Sequence, residues 1–172
     1  MDFIDVGKRI LGYLYNGKMS MKIVQDREKL SRSCKSVHLK EGLEIGERLL
    51  DYLEKHDGGI GLAANQVGID ARVCVVNVGR PLIFVNPKVV GKFGAIRFKE
   101  GCLSFPDEEV LTKRYRNIVV RDEVGGERIF DAKSLLETVC VQHEIDHLNG
   151  LTMYDRRLNP LEAVPTIQMP LR

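Results

Sequence analysis

The chain has 172 residues, 26 basic and 24 acidic side chains for a net charge of +2, and a hydrophobic share of 44%. This length suits one domain with a real core, and the hydrophobic share argues against disorder. The near-balance of charge argues against a nucleic-acid site or an anionic membrane as partner.

In chain order, "MDFIDVGKRILGYLYNGK" carries Asp2 and Asp5 and only a short apolar run, which does not make a signal peptide. No run approaches the ~20 apolar residues of a membrane span, so no membrane partner is expected and a reducing cytoplasm is the default compartment. Residues 1–20 read as an N-terminal extension, and "MKIVQDREKL" from Met21 as a fresh start. In 41–59, Leu43, Ile45, Leu49, Leu50 and Leu53 recur at near-helical spacing, and Gly58-Gly59 provides a stop. "RVCVVNVG" (72–79) and "LIFVNPKVVG" (82–91) are β-branched and predict strands. "NIVVRD" and "ERIFDA" around "EVGG" predict a hairpin. Lys113-Arg114-Tyr115-Arg116 reads as a solvated face. Ser134 with Glu137 forms a capping-box pattern, predicting a helix from about Ser134 that ends before Gly150. Leu136, Val139, Cys140, His143 and His147 then share one face. The order helix, strands, helix predicts an α+β fold, with mixed or antiparallel sheets packed around a central helix carrying the histidines.

That last helix contains His143-Glu144-Ile145-Asp146-His147, an H-E-x-x-H pattern. Positions i and i+4 stack on a helix, so the two imidazoles can converge on one ion, with Glu144 placed to take a proton from a bound water. The alternative is a pair of core or surface histidines. A catalytic site needs a third protein ligand. Met153 stands where one protease pattern places a third histidine, and Glu162, the only glutamate after His147, is a poor candidate. Cys140 is on the right face but too far along the axis, and reads as a pocket or core thiol. Cys74 lies within a strand, Cys34 in an unremarkable setting, and no C-x-x-C spacing occurs. His38 and His56 look like surface residues. Cys102, in "KEGCLSFP", could complete a Cys/His/His set with one open position, or be a buried thiol at a strand end. "GIGLAANQVG" (59–68) follows a helix and precedes a strand, the reverse of a dinucleotide-binding loop. It is either a tight connection or a backbone edge that holds an extended peptide, with Gln66 donating to a developing oxyanion.

The three stretches Gly59-Ile60-Gly61-Leu62-Ala63-Ala64-Asn65-Gln66, Glu100-Gly101-Cys102-Leu103-Ser104 and Gln142-His143-Glu144-Ile145-Asp146-His147 occur in order. Together they resemble the three motifs of the peptide deformylases, over roughly residues 21–156. The resemblance implies a metal-dependent hydrolase that removes the N-formyl group from the formyl-methionine end of nascent polypeptides and releases formate. It implies Cys102, His143 and His147 as metal ligands and Glu144 as general base, then acid. The Gln66 amide and the Leu103 backbone N–H become the oxyanion donors. Ile60, Gly61 and Gly101 become backbone contacts to the peptide, and Phe98, Leu136, Val139 and Cys140 the methionine pocket. The family's ion is ferrous iron, replaceable by zinc, nickel or cobalt, although the ligand set alone suggests zinc. Asp146 reads as structural, with Arg114 as its partner by charge. Residues 21–172 are then one catalytic domain. Pro165 and Pro170 preclude the long C-terminal helix of many members. That bears on ribosome association, expected to be transient, and not on the chemistry.

Overall fold

The computed structural model describes residues 21–56 and 58–159. The expected extension, residues 1–20, lies outside the described residues, as do residues 160–172 and with them Glu162, Pro165 and Pro170. The helices are α1 (Arg27–Leu30), α2 (Leu39–Glu54) and α3 (Leu135–Leu148). The strands are β1 (Gly61–Ala63), β2 (Val73–Asn77), β3 (Pro81–Val85), β4 (Lys88–Cys102), β5 (Phe105–Asp122) and β6 (Gly126–Phe130), with short 3-10 turns at Ala64–Val67, Ala132–Ser134 and Met153–Arg156.

The fold is α+β. The strands form two three-stranded sheets, β1-β2-β3 and β4-β5-β6, antiparallel throughout the described residues. Alternation along β2 sorts the layers. Val73 and Val75 face α2, where they meet Ile45, Leu49 and Leu53. Cys74 and Val76 face the other way and join Phe84 against Val141, Ile145 and Leu148 of α3. Ile118, Val120 and Phe130 of the second sheet close over the far side of α3. The first sheet is thus covered on both faces, which is why "VCVVN" reads as a continuous apolar run. Helix α3 lies between the sheets, with thirteen of its fourteen residues buried.

Several expectations need correction. "LIFVNPKVVG" is not one strand: Asn86 adopts φ 53° and Pro87 lacks an N–H, so β3 ends at Val85 and β4 begins at Lys88. β4 and β5 run far longer than their β-branched tips, because charged side chains alternate with buried ones along them. Arg114 does not lie on a solvated face. It is fully buried, while Arg116, two residues on, is exposed. The capping box at Ser134 does not form. Ser134 makes no side-chain cap bond, and Glu137 is buried facing Arg80 at 3.6 Å. The first turn of α3 is held by Thr138 instead, whose hydroxyl donates to the Asp131 and Ser134 carbonyls at 2.8 and 2.9 Å.

Gly150 does end α3, with φ 73°. A Cβ there would lie 2.5 Å from the Ser31 carbonyl oxygen, so both backbone conformation and space require glycine. Gly150→Ala is expected to lower the unfolding free energy by about 2 kcal/mol, read as a shift of the urea midpoint; an unchanged midpoint would show that the turn relaxes without cost.

Candidate metal centre

The carboxyl end of β4 brings Cys102 to α3. Glu100 and Cys102, two residues apart, both turn toward the helix, and the β4–β5 register shifts between Gly101 and Cys102. Such an irregularity ends regular pairing and re-aims a side chain. On α3, His143 and His147 stack one turn apart, with ring centroids 4.8 Å apart and planes at 73°. Cys102 Sγ lies 3.3 Å from His147 Nε2, which lies 3.2 Å from His143 Nε2. The three ligand atoms fall within 4.8 Å of one another.

His143 is oriented from behind. Its Nδ1 meets Glu100 Oε2 at 2.8 Å, which directs Nε2 toward Cys102 and His147. Glu100 is held in turn by Arg114, whose Nε and Nη2 donate to its two oxygens at 2.5 and 2.9 Å. Arg114 Nη1 donates to Asp146 Oδ2 at 2.5 Å, and Arg156 donates to both Asp146 oxygens at 2.9 and 2.6 Å. Thr112 also donates its hydroxyl to Glu100. The pairing of Asp146 with Arg114 is as the charges suggested. Burial works to raise both carboxyls, but His143 and Arg114 hold Glu100 well below the usual carboxylate range. Arg156 and Arg114 likewise hold Asp146 below it. Burial, and then the neighbouring His143 charge, push the His147 imidazole well below its usual range.

Above the three donor atoms opens a cleft of about 400 Å³. Ile60, Gly61, Gln66, Phe98, Gly101, Cys102, Leu103, Leu136, Val139, Cys140, His143 and Glu144 all line it, with His147 beneath. The residues that the resemblance implies for ligands, base, oxyanion donors and pocket thus lie around one cleft, whereas Cys34, Cys74, His38 and His56 are not among its lining residues. The Glu144 carboxyl is pushed up to about 7 by burial, against the His143 charge. Its Oε2 has no hydrogen-bond partner among the described residues. It approaches the backbone of β1 at Gly61, where a Cβ would collide with the carboxylate and lie 2.6 Å from Cys140 Sγ. Gln66 is turned by its own oxygen, which accepts from Ala63 N–H at 2.8 Å. Its amide nitrogen therefore faces Ser104 Oγ at 3.2 Å and Cys102 Sγ at 3.5 Å. One thiol and two imidazoles converging beside an unpartnered carboxylate oxygen fit a divalent transition-metal ion.

Sequence reasoning named Glu100 only as a motif letter and did not name Ser104 or Arg156 as partners. The signal for Glu100 was its period-two relation to Cys102 on a strand; Arg156 lay beyond the motif and carried none.

The polypeptide deformylase family model matches residues 20–163. The peptide deformylase of Buchnera aphidicola subsp. Schizaphis graminum is 37% identical over 122 residues, covering 67% of this chain and 72% of that protein. The crystal structure of peptide deformylase from Thermotoga maritima superposes with a TM-score of 0.71 at 30% identity, covering 83% of this chain and 100% of that one. The Synechococcus elongatus enzyme in complex with actinonin gives 0.71 at 34%, covering 84% and 82%. The chain belongs to the polypeptide deformylase family. It is a metal-dependent hydrolase that removes the N-formyl group of nascent polypeptides. No helix among the described residues is long and apolar enough to cross a membrane.

The buried ion network tests this architecture. Arg114→Met would take from buried Glu100 its guanidinium partner and leave Asp146 with Arg156 alone, and is expected to cost about 3–5 kcal/mol. The folded-state values of both carboxyls are depressed, so their stabilisation is complete above the unfolded carboxylate range near pH ~4 and is lost as pH falls through the folded values. Urea titrations should therefore show the native chain losing stability steeply in acid and Arg114→Met losing much less; parallel acid profiles would contradict the assignment.

Proposed function

We propose that α3 is the metal-binding helix at the centre of this deformylase, with Cys102, His143 and His147 as ligands, and that Glu144 is the general base and then the general acid. One observation carries the reading: three donor atoms within 4.8 Å of one another, beside a buried carboxyl with an unpartnered oxygen. The ion would be ferrous iron, with zinc, nickel or cobalt able to replace it. When bound, such an ion polarises the formyl oxygen and lowers the pKa of a water.

The protein's own groups do the rest. In the sheet order β1-β2-β3, β1 is an edge strand, so an extended peptide can add alongside Ile60 and Gly61, with Gly101 opposite. The methionine side chain would enter between Phe98, Leu136, Val139 and Cys140, which line the cleft. The Gln66 amide, locked with its nitrogen toward Cys102, and the Leu103 backbone N–H would donate to the developing oxyanion; one such donor is worth about 10²–10³ in rate. Glu144, with its pKa pushed to about 7, suits a group that takes a proton from water and returns it to the leaving amine. On this reading residues 21–172 act as one catalytic domain with 1–20 appended, in the cytoplasm, and meet the ribosome transiently.

Metal analysis of anaerobically purified protein should find about one equivalent of iron in the native chain, none in Cys102→Ala, and native content in Glu162→Ala. Metal retained by Cys102→Ala would remove the thiol from the ligand set. In a formate-release assay on formyl-Met-Ala-Ser, Glu144→Ala should keep its metal but lose at least about 10²-fold in rate; full activity would refute the proposed base.

A further inference from the structure

The two histidines of α3 are not held alike. His143 has Glu100 behind it, on Nδ1. His147 points Nε2 at Cys102 Sγ and at His143 Nε2, at 3.3 and 3.2 Å, so its Nδ1 is turned away from the donor atoms. That Nδ1 is buried and meets no hydrogen-bond partner among the described residues. A neutral imidazole that offers Nε2 to an ion carries its proton on Nδ1. Metal-binding histidines almost always donate that proton to a further group, and a buried N–H without an acceptor bears its whole desolvation cost.

Asn65 stands beside this histidine. It lies in the 3-10 turn Ala64–Val67, one residue before Gln66. Its Nδ2 donates to the backbone carbonyl of His147 at 2.7 Å, although the two residues are 82 apart in the chain. The Asn65 Oδ1 is buried and also meets no partner among the described residues. The pair is therefore joined at one point and leaves two buried atoms over, a donor on His147 and an acceptor on Asn65. Turning the amide round would set its oxygen against the His147 carbonyl, so the bond at 2.7 Å fixes which atom is left. The other unpartnered side-chain oxygen, Glu144 Oε2, belongs to the cleft wall at Gly61. No direct bond joins Nδ1 to Oδ1, and one water between a donor and an acceptor has the partners that a buried water needs.

The end of α3 has other anchors. The Leu148 carbonyl accepts from the Cys34 N–H at 2.9 Å and from Arg72 Nη1 at 3.2 Å. These hold the same turn through its backbone and leave the imidazole alone.

We propose that Asn65 is the positioning residue of His147: its Nδ2 pins the carbonyl, and its Oδ1 accepts the Nδ1 proton through one ordered water, which keeps Nε2 aimed at the ion. This rests on His147 being a ligand. Adjacent residues of one turn then serve both halves of the chemistry, Gln66 the oxyanion and Asn65 the metal.

The test uses the full chain loaded with zinc and labelled with ¹⁵N-histidine, in which only four histidines give signals. In the native chain the His147 Nδ1–H should be resolved and show cross-relaxation to water. Asn65→Leu should abolish that cross-peak, move the proton upfield, leave the His143 Nδ1–H in place, and raise the zinc dissociation constant in chelator competition by about 10–100-fold. Asn65→Asp keeps an acceptor but loses the bond to the carbonyl; it should retain the cross-peak and bind zinc as the native chain does. Arg72→Met should lower the urea midpoint, with the His147 signal and the zinc affinity unchanged. Native affinity and an unmoved proton in Asn65→Leu, loss in Asn65→Asp equal to that in Asn65→Leu, or equal weakening by Arg72→Met would each overturn the proposal while leaving His147 a ligand. Zinc held as tightly by His147→Ala as by the native chain would overturn the ligand reading, and this proposal with it.

Discussion

The buried guanidinium of Arg114 is the interaction on which the site depends. It stands on β5, points inward, and is 2% exposed. A charge at that depth is tolerated only if the protein surrounds it with matched acceptors. Glu100 from β4 and Asp146 from α3 supply them, and Arg156, from the turn after α3, balances the second carboxylate. Strand, hairpin partner, helix and closing turn are thereby fixed to one another by bonds that a one-residue slip in register would break. A one-residue slip would also turn the buried face of a strand outward; the bidentate ion pair adds a directional requirement of its own.

The network reaches the chemistry through a single bond. Glu100 spends one oxygen on His143 Nδ1, and that bond decides which way the other ring nitrogen points. The orientation of the proposed ligand thus originates on the far side of the helix, at Arg114. The other wall of the cleft is set by backbone instead: Gln66 is turned by the Ala63 N–H, and Glu144 comes against β1 because residue 61 has no side chain. Two sheets and the helix between them each contribute one wall, so the site exists only when all three layers are assembled.

This division explains what could be read in advance. His143, Glu144 and His147 were legible because a helix brings i and i+4 together without reference to the rest of the chain. Residues 59–66 and 100–104 were legible mainly as motif spelling, and the resemblance joined them to the helix. The Arg114 network was only half visible. "KRYR" shows no apolar aliphatic letter, and nothing local says that Arg114 turns fully inward while Arg116 stays exposed. Period-two alternation applies to charged residues as much as to apolar ones, but it reveals an inward arginine only once a buried acid is known to await it. The long β4–β5 ribbon was missed for the same reason, since its alternation is carried by lysines and glutamates.

The net charge shows the same limit on a larger scale. A total of +2 measures a sum, and it argued against a polyanion as partner. Folding sorts what the sum averages. β4 and β5 place Lys88, Lys92 and Lys113 on one ribbon, and the turn after α3 adds Arg157 across from them. Their mutual repulsion is a cost that the fold sustains in water. Nothing in the core demands it, because Arg114 and Arg156 already meet the needs of the buried carboxylates. One face of α3 borders the catalytic cleft, and the other borders an opening lined by seven basic side chains, so the thickness of one helix lies between them. The two faces are nevertheless linked, because Arg114, which lines the second opening, holds the Glu100 that orients His143.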